Sequence, residues 1–140
     1  MKIVLDTNIF ISAFFWGGHP RKVLERTIDG DDELYITDEI IEEIARVMSR
    51  PKFNIEVHII DSFIRSIKEI SQRVHIKGNV HNVCRDSEDD KILECALTVK
   101  ADCIITGDND LLVLKAYEGV HIITATAYLD LLKSIIPGST

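Results

Sequence analysis

Asp6 stands directly after a short apolar run, residues 3–5, and just before a helical pattern that begins at Asn8. A carboxylate at the C-terminal end of a buried strand lies where open α/β sheets bind their ligands. More acids recur at comparable places. Asp89 and Asp90 stand at the head of a helical segment, and Asp108 and Asp110 follow the apolar pair Ile104-Ile105. Acids gathered on one rim repel each other unless positive charge sits among them, and a divalent cation is the simplest candidate. Oxygen donors suit Mg²⁺ or Mn²⁺. No rival constellation competes. His19, His58, His75, His81 and His121 are scattered, no Ser/His/Asp or Cys/His spacing stands out, and the glycines form neither GxGxxG nor a P-loop.

The elements that must position these acids alternate along the chain. Residues 2–5, 34–36, 74–76, 103–105 and 120–123 read as strands. Helical patterns cover 8–15, 20–28, 38 to just before Pro51, 55–70, 87–100, 111–114 and 126–135. Trp16-Gly17-Gly18-His19-Pro20 ends the first helix, and Thr37 or Asp38 can cap the third. Short strands separated by helices imply a mostly parallel sheet with helices on both faces. One domain over residues 1–136 is expected, with 137–140 as a short tail.

Composition narrows the classes. At 140 residues, 46% apolar and 28% charged, the chain has the make-up of an ordinary globular domain. No apolar run approaches the ~20 residues needed to span a bilayer, and no signal peptide pattern opens the chain. Cys84, Cys95 and Cys103 are odd in number and lack CxxC spacing, which argues against a disulfide framework or a zinc site and fits the cytoplasm. The net charge of −7 does not suit a protein that coats nucleic acid through bulk electrostatics. A nuclease stays compatible with it, because acids around a metal are locally neutralised. Arg46, Arg50 and Lys52, with Arg21, Lys22 and Arg26, are the basic clusters available for a nucleic-acid backbone.

Taken singly, the acids differ. Asp6 could cap the helix at Asn8, but Thr7 and Asn8 can equally orient it as a ligand. On the third helix Ile40, Ile41, Ile44, Val47 and Met48 form one apolar face. Glu42 lies opposite, four residues before Arg46, as an ion-pair partner; Glu43 lies at the boundary and can turn toward Asp6. Ser87 with Asp90 resembles a capping box, and acids in a first helical turn favour the helix dipole. Periodicity does not decide between Asp89 and Asp90. Asp108 could cap the helix that follows it. Asp6 and Asp108 meet if the first and fourth strands are neighbours.

Four motifs in order resemble the PIN domain. They are Leu5-Asp6-Thr7-Asn8; Glu43-Ile44 followed by Arg50-Pro51-Lys52-Phe53; Asp89-Asp90-Lys91; and Thr106-Gly107-Asp108-Asn109-Asp110-Leu111. The likeness runs from residue 2 to about residue 132 and is closest to prokaryotic toxins of toxin–antitoxin systems, akin to the VapC type. It implies a three-layer α/β/α sandwich around a five-stranded parallel sheet of order 3-2-1-4-5. It also implies metal-dependent cleavage of RNA. Residue by residue, Asp6, Glu43, Asp90 and Asp108 match the four acids, with Asp90 preferred because its spacing to Thr106 fits. Asn8 and Thr106 match supporting polar positions, and Asp89 and Asp110 are additional nearby acids. Thr37 stands where many relatives have serine.

The implied activity is that of an endoribonuclease using Mg²⁺ or Mn²⁺, with a homodimer, an RNA substrate and an antitoxin protein as expected partners and no membrane association. RNA maturation or turnover is the alternative role. A phosphatase of the haloacid dehalogenase type also uses an aspartate after its first strand, but it wants a second acid at position 8, where this chain has Asn8. A non-catalytic RNA- or partner-binding module is the remaining rival.

Overall fold

The computed structural model describes residues 1–135. The tail expected over 137–140, and residue 136 before it, lie outside the described residues. In chain order the elements are β1 (Lys2–Leu5), α1 (Thr7–Phe15), α2 (Gly18–Ile28), β2 (Glu33–Thr37), α3 (Asp38–Met48), a 3-10 turn (Pro51–Phe53) and α4 (Val57–Ile70). Then come β3 (Ser71–Val74), α5 (Ser87–Val99), β4 (Cys103–Ile105), α6 (Asn109–Leu112), β5 (Ala116–Tyr117), β6 (Val120–Ile123) and α7 (Ala125–Ile135).

The sheet order is β3-β2-β1-β4-β6-β5. All neighbours are parallel except β5 and β6. Ile3, Val4 and Leu5 on β1 and Cys103, Ile104 and Ile105 on β4 are all buried. Strands buried on both faces need a layer of helices on each side, which is the sandwich expected from the alternating pattern. Helix α5 lies across β1 to β4, while α1 packs on α2 and α3, α2 on α7, and α3 on α4. The pairing Leu5↔Ile105 sets β1 and β4 side by side, so the residues that follow them, Asp6 and Thr106, share one rim.

Two expectations about the strands are corrected. The third strand is Ser71–Val74 rather than residues 74–76. It is an edge strand, and Ser71, Gln72 and Arg73 carry no apolar signal because only Val74 is buried. A sixth strand, β5, adds a hairpin to the far edge. Glu118 and Gly119 both take positive φ, 46° and 86°, as a two-residue turn of type I′ requires. Glu-Gly is not one of the usual turn pairs, so the hairpin left no clear mark in the sequence. Without β5 the order reduces to the five-stranded arrangement expected.

Local chemistry sets the helix ends. Thr37 caps α3 by accepting a hydrogen bond from the Ile40 amide at 3.2 Å. The cap of α5 is Asp86, which accepts from the Glu88 amide at 3.0 Å; Ser87 is already helical, and the capping box expected there does not form. Between α1 and α2, Gly17 has φ 73°, and a Cβ there would lie 3.2 Å from the Arg21 guanidinium. That guanidinium donates two hydrogen bonds to the Ala13 carbonyl, at 3.1 and 3.0 Å, and so closes the C-terminal end of α1. The three cysteines are buried and free, as small core residues.

Candidate active site

The acids on the rim arrive from four elements. Asp6 is buried, 6% exposed, at the junction of β1 and α1. Its Oδ2 accepts from the Thr106 hydroxyl at 2.8 Å, and the same Thr106 oxygen accepts from the Asp108 amide at 2.9 Å. One hydroxyl therefore ties Asp6 to the loop that carries Asp108. Asp108 in turn accepts from the Asp110 amide at 2.9 Å and caps α6. Capping uses its Oδ1, and the second oxygen remains available to a ligand.

Glu43 on α3 accepts from the Thr7 hydroxyl at 2.8 Å. The boundary position on the helix thus turns toward the start of α1, while Glu42 is exposed. Glu42 makes no ion pair with Arg46, contrary to the pairing expected at that spacing; Arg46, Arg50 and Lys52 enter no ion pair among the described residues. Asn8 is exposed on the first turn of α1, and its side chain makes no hydrogen bond to any of the acids.

Asp89, Asp108 and Asp110 each present a carboxylate oxygen, and these oxygens lie within 4.8 Å of one another. Asp90 is not in that group. It is buried as well, but its Oδ1 accepts from the Cys84 amide at 2.8 Å. The separation has a simple geometric cause. Asp90 and Glu94 are four residues apart and share one side of α5, the side that faces the loop before the helix. Adjacent residues diverge by ~100°, so Asp89 turns to the rim. Spacing along the chain favours Asp90 for the third acid; in the structure Asp89 is the one of the two whose carboxylate groups with Asp108 and Asp110.

Glu94 carries no signal in the motif pattern, yet it is 5% exposed and holds the loop. Its oxygens accept from the amides of Lys77, Gly78 and Val80 at 2.8 to 2.9 Å. Burial pushes its carboxyl up, but these amides outweigh that and hold it below the usual carboxylate range. A Glu94→Ala chain would leave three part-buried amides without their partner, and we expect a loss of about 1–3 kcal/mol. Chemical denaturation with hydrogen exchange checks this: the midpoint should fall and protection at residues 77–80 should vanish. An unchanged midpoint would mean the loop is held by other contacts.

The rim gathers carboxylates that oppose one another's ionisation. Burial raises the Asp6 carboxyl, the Thr106 hydroxyl and Thr7 amide partly offset it, and the charges of Asp108 and Glu43 raise it again. Burial also pushes Asp89 up, to about 8, helped by the charges of Asp108 and Asp6. The Oδ2 atom of Asp89 is buried with no hydrogen-bond partner among the described residues. No lysine or arginine pairs with Asp6, Asp89, Asp108 or Asp110 among the described residues. An orphaned carboxylate oxygen beside two further acids, with no protein cation near, fits a hard divalent ion held by oxygen ligands.

Residues 2–110 match the family model of the PIN domain. A relative from Methanocaldococcus jannaschii, described as an uncharacterized protein, is 35% identical over 118 residues, which cover 82% of this chain and 76% of the relative.

Proposed function

The chain belongs to the PIN-domain family, and from that premise we propose that it is a Mg²⁺- or Mn²⁺-dependent endoribonuclease. PIN domains as a class are nucleases that use divalent metals. The observation that carries the reading is the orphaned Asp89 oxygen among Asp108 and Asp110, with Asp6 tied to them through Thr106. Asp6, Asp89 and Asp108 would hold the ion, with Asp110 beside them. A divalent cation held there supplies positive charge for the phosphoryl oxygens and a water ionised at neutral pH.

The rest falls to the chain's own groups. Thr106 keeps Asp6 and the Asp108 loop in register. Thr7 fixes Glu43, which either ligates or accepts a proton from the attacking water as the phosphodiester bond is displaced. Asp90 and Glu94 keep the loop before α5 closed over that helix and so keep Asp89 in place. Arg46, Arg50 and Lys52 are exposed cations without acidic partners among the described residues, suited to the phosphates of a strand that runs past α3. The test is cleavage of single-stranded RNA with either metal and its loss in EDTA; metal-independent cleavage or none would sink the reading.

The physiological role we infer is the toxin of a toxin–antitoxin pair, acting in the cytoplasm. Support for a protein partner comes from an apolar groove lined by Ala13, Phe14, Leu24, Ile28 and Phe63, beside Arg21 and Glu25. No described helix is long and apolar enough to cross a membrane. A homodimer through α4 is the companion proposal, since Val57 is 72% and Ile59 40% exposed there. Sedimentation at tens of micromolar should give twice the chain mass, and a monomer would remove it.

A further inference from the structure

Trp16 is the single tryptophan of the chain, and 74% of it is exposed. It is not an isolated surface residue. Its ring lies 5.4 Å from that of Phe15, and Phe15 stacks on Phe53 at 4.8 Å with the planes 29° apart. The Lys52 ammonium sits 5.0 Å over the Phe53 ring. The three aromatic rings thus form a short row with a cation on one end and an open indole on the other.

This row stands at the end of a path that begins at the acids. Helices α1 and α3 pack against each other. Thr7 meets Glu43 at one end, and eight residues further on Phe15 meets Phe53 at the other. Glu43 and Arg46 lie one turn apart on α3, and Arg50 follows just past its end, as the extended residue before the Pro51–Phe53 turn. From Thr7 to Phe15 is about 12 Å of helix at ~1.5 Å per residue. A stacked strand covers that in about four nucleotides at ~3.4 Å each, and an extended one in fewer. Cations with no acidic partner among the described residues therefore lead from the acids to an exposed, braced aromatic platform. That combination, a basic track ending in a ring on which a base can lie, is how proteins grip unpaired strands irrespective of sequence.

We propose that Trp16 is a positioning residue that stacks on a base of single-stranded RNA a few nucleotides from the scissile phosphate. The inference rests on the nuclease reading for its substrate, but it is read out without cleavage. Duplex RNA keeps its bases stacked inward and cannot offer one to the indole. Specificity for unpaired RNA would thus be set at Trp16, away from the acids.

The lone indole makes the test direct. In the Asp6→Asn chain, which leaves the strand intact, a single-stranded 12-nucleotide RNA should quench Trp16 fluorescence saturably. The same oligonucleotide with abasic sites, or as a duplex, should quench it little. Trp16→Ala should weaken binding of a dye-labelled single strand by about 5- to 100-fold, as expected for one lost base stack, and Trp16→Phe should restore part of it. RNA that binds without quenching, or an unchanged Kd for Trp16→Ala, overturns the proposal and leaves the nuclease reading standing. RNA that binds and quenches but is never cut by the wild-type chain with metal removes the nuclease reading and keeps Trp16 as a stacking site. Loss of self-association in Trp16→Ala, with RNA affinity unchanged, would assign the indole to a second copy of the chain instead.

Discussion

Asparagine in place of Asp6 should lower metal-dependent RNA cleavage by about a thousandfold or more while the chain stays folded. The size follows from the several kcal/mol that metal-assisted charge stabilisation contributes, at ~1.4 kcal/mol per factor of ten. Folding should survive because an amide oxygen still accepts from Thr106. Burial and the charges of Asp108 and Glu43 already oppose ionisation at position 6, so removing that charge relieves the metal-free protein. Asp89→Asn should behave in the same way. Asp90→Asn should keep most of the activity, since its amide oxygen can still accept from Cys84 and hold the loop before α5. Rates of RNA cleavage at saturating metal, beside melting curves for each variant, decide the matter. Near-normal cleavage by Asp6→Asn would sink the proposed site. A dead Asp90→Asn beside an active Asp89→Asn would return the third position to Asp90.

Adding Mg²⁺ or Mn²⁺ at neutral pH should raise the melting temperature, and lowering the pH should partly imitate the metal. Asp89 is raised from 3.8 to about 8 by burial first and by Asp108 and Asp6 after it. The folded chain therefore binds that proton more tightly than the unfolded chain does. Its contribution is complete below the ordinary carboxylate range and is lost as pH rises toward about 8. Without metal, then, stability should climb as pH falls from about 8 to about 5. Below that range Asp32 and Glu94 turn the trend. Both are held below their usual values in the fold, so stability they contribute is lost as they protonate. At a hundred times its Kd, a cation adds about 2.7 kcal/mol by mass action. For a chain of this size that is a rise of about 5–10 °C. The metal effect should shrink toward pH 5, where protons compete for the same oxygens. Scanning calorimetry across pH, with and without metal, checks both slopes. Melting indifferent to millimolar metal at neutral pH would remove the cation from the site.

The residue pattern alone determined the layout of this protein. Apolar runs at residues 3–5 and 103–105, each followed at once by polar and acidic residues, announced two central strands with ligands at their ends, because strands buried on both faces read as unbroken apolar runs. Glu43 was legible over Glu42 because helix rotation is regular inside a well-marked amphipathic segment, and the Thr7 contact follows that rotation. The edges were not legible. β3 is polar because an edge strand needs little burial, and β5 exists through a two-residue turn whose pairing with β6 is tertiary. Nor could periodicity choose between Asp89 and Asp90, since neighbours on a helix differ by a rotation whose meaning depends on what packs there; only the spacing to Thr106 favoured Asp90. Only the folded chain placed a loop against the Asp90–Glu94 side of α5 and the rim against Asp89. The unpaired oxygen of Asp89 and the row from Phe53 to Trp16 are likewise products of packing, joining residues up to tens of positions apart that no local pattern connects.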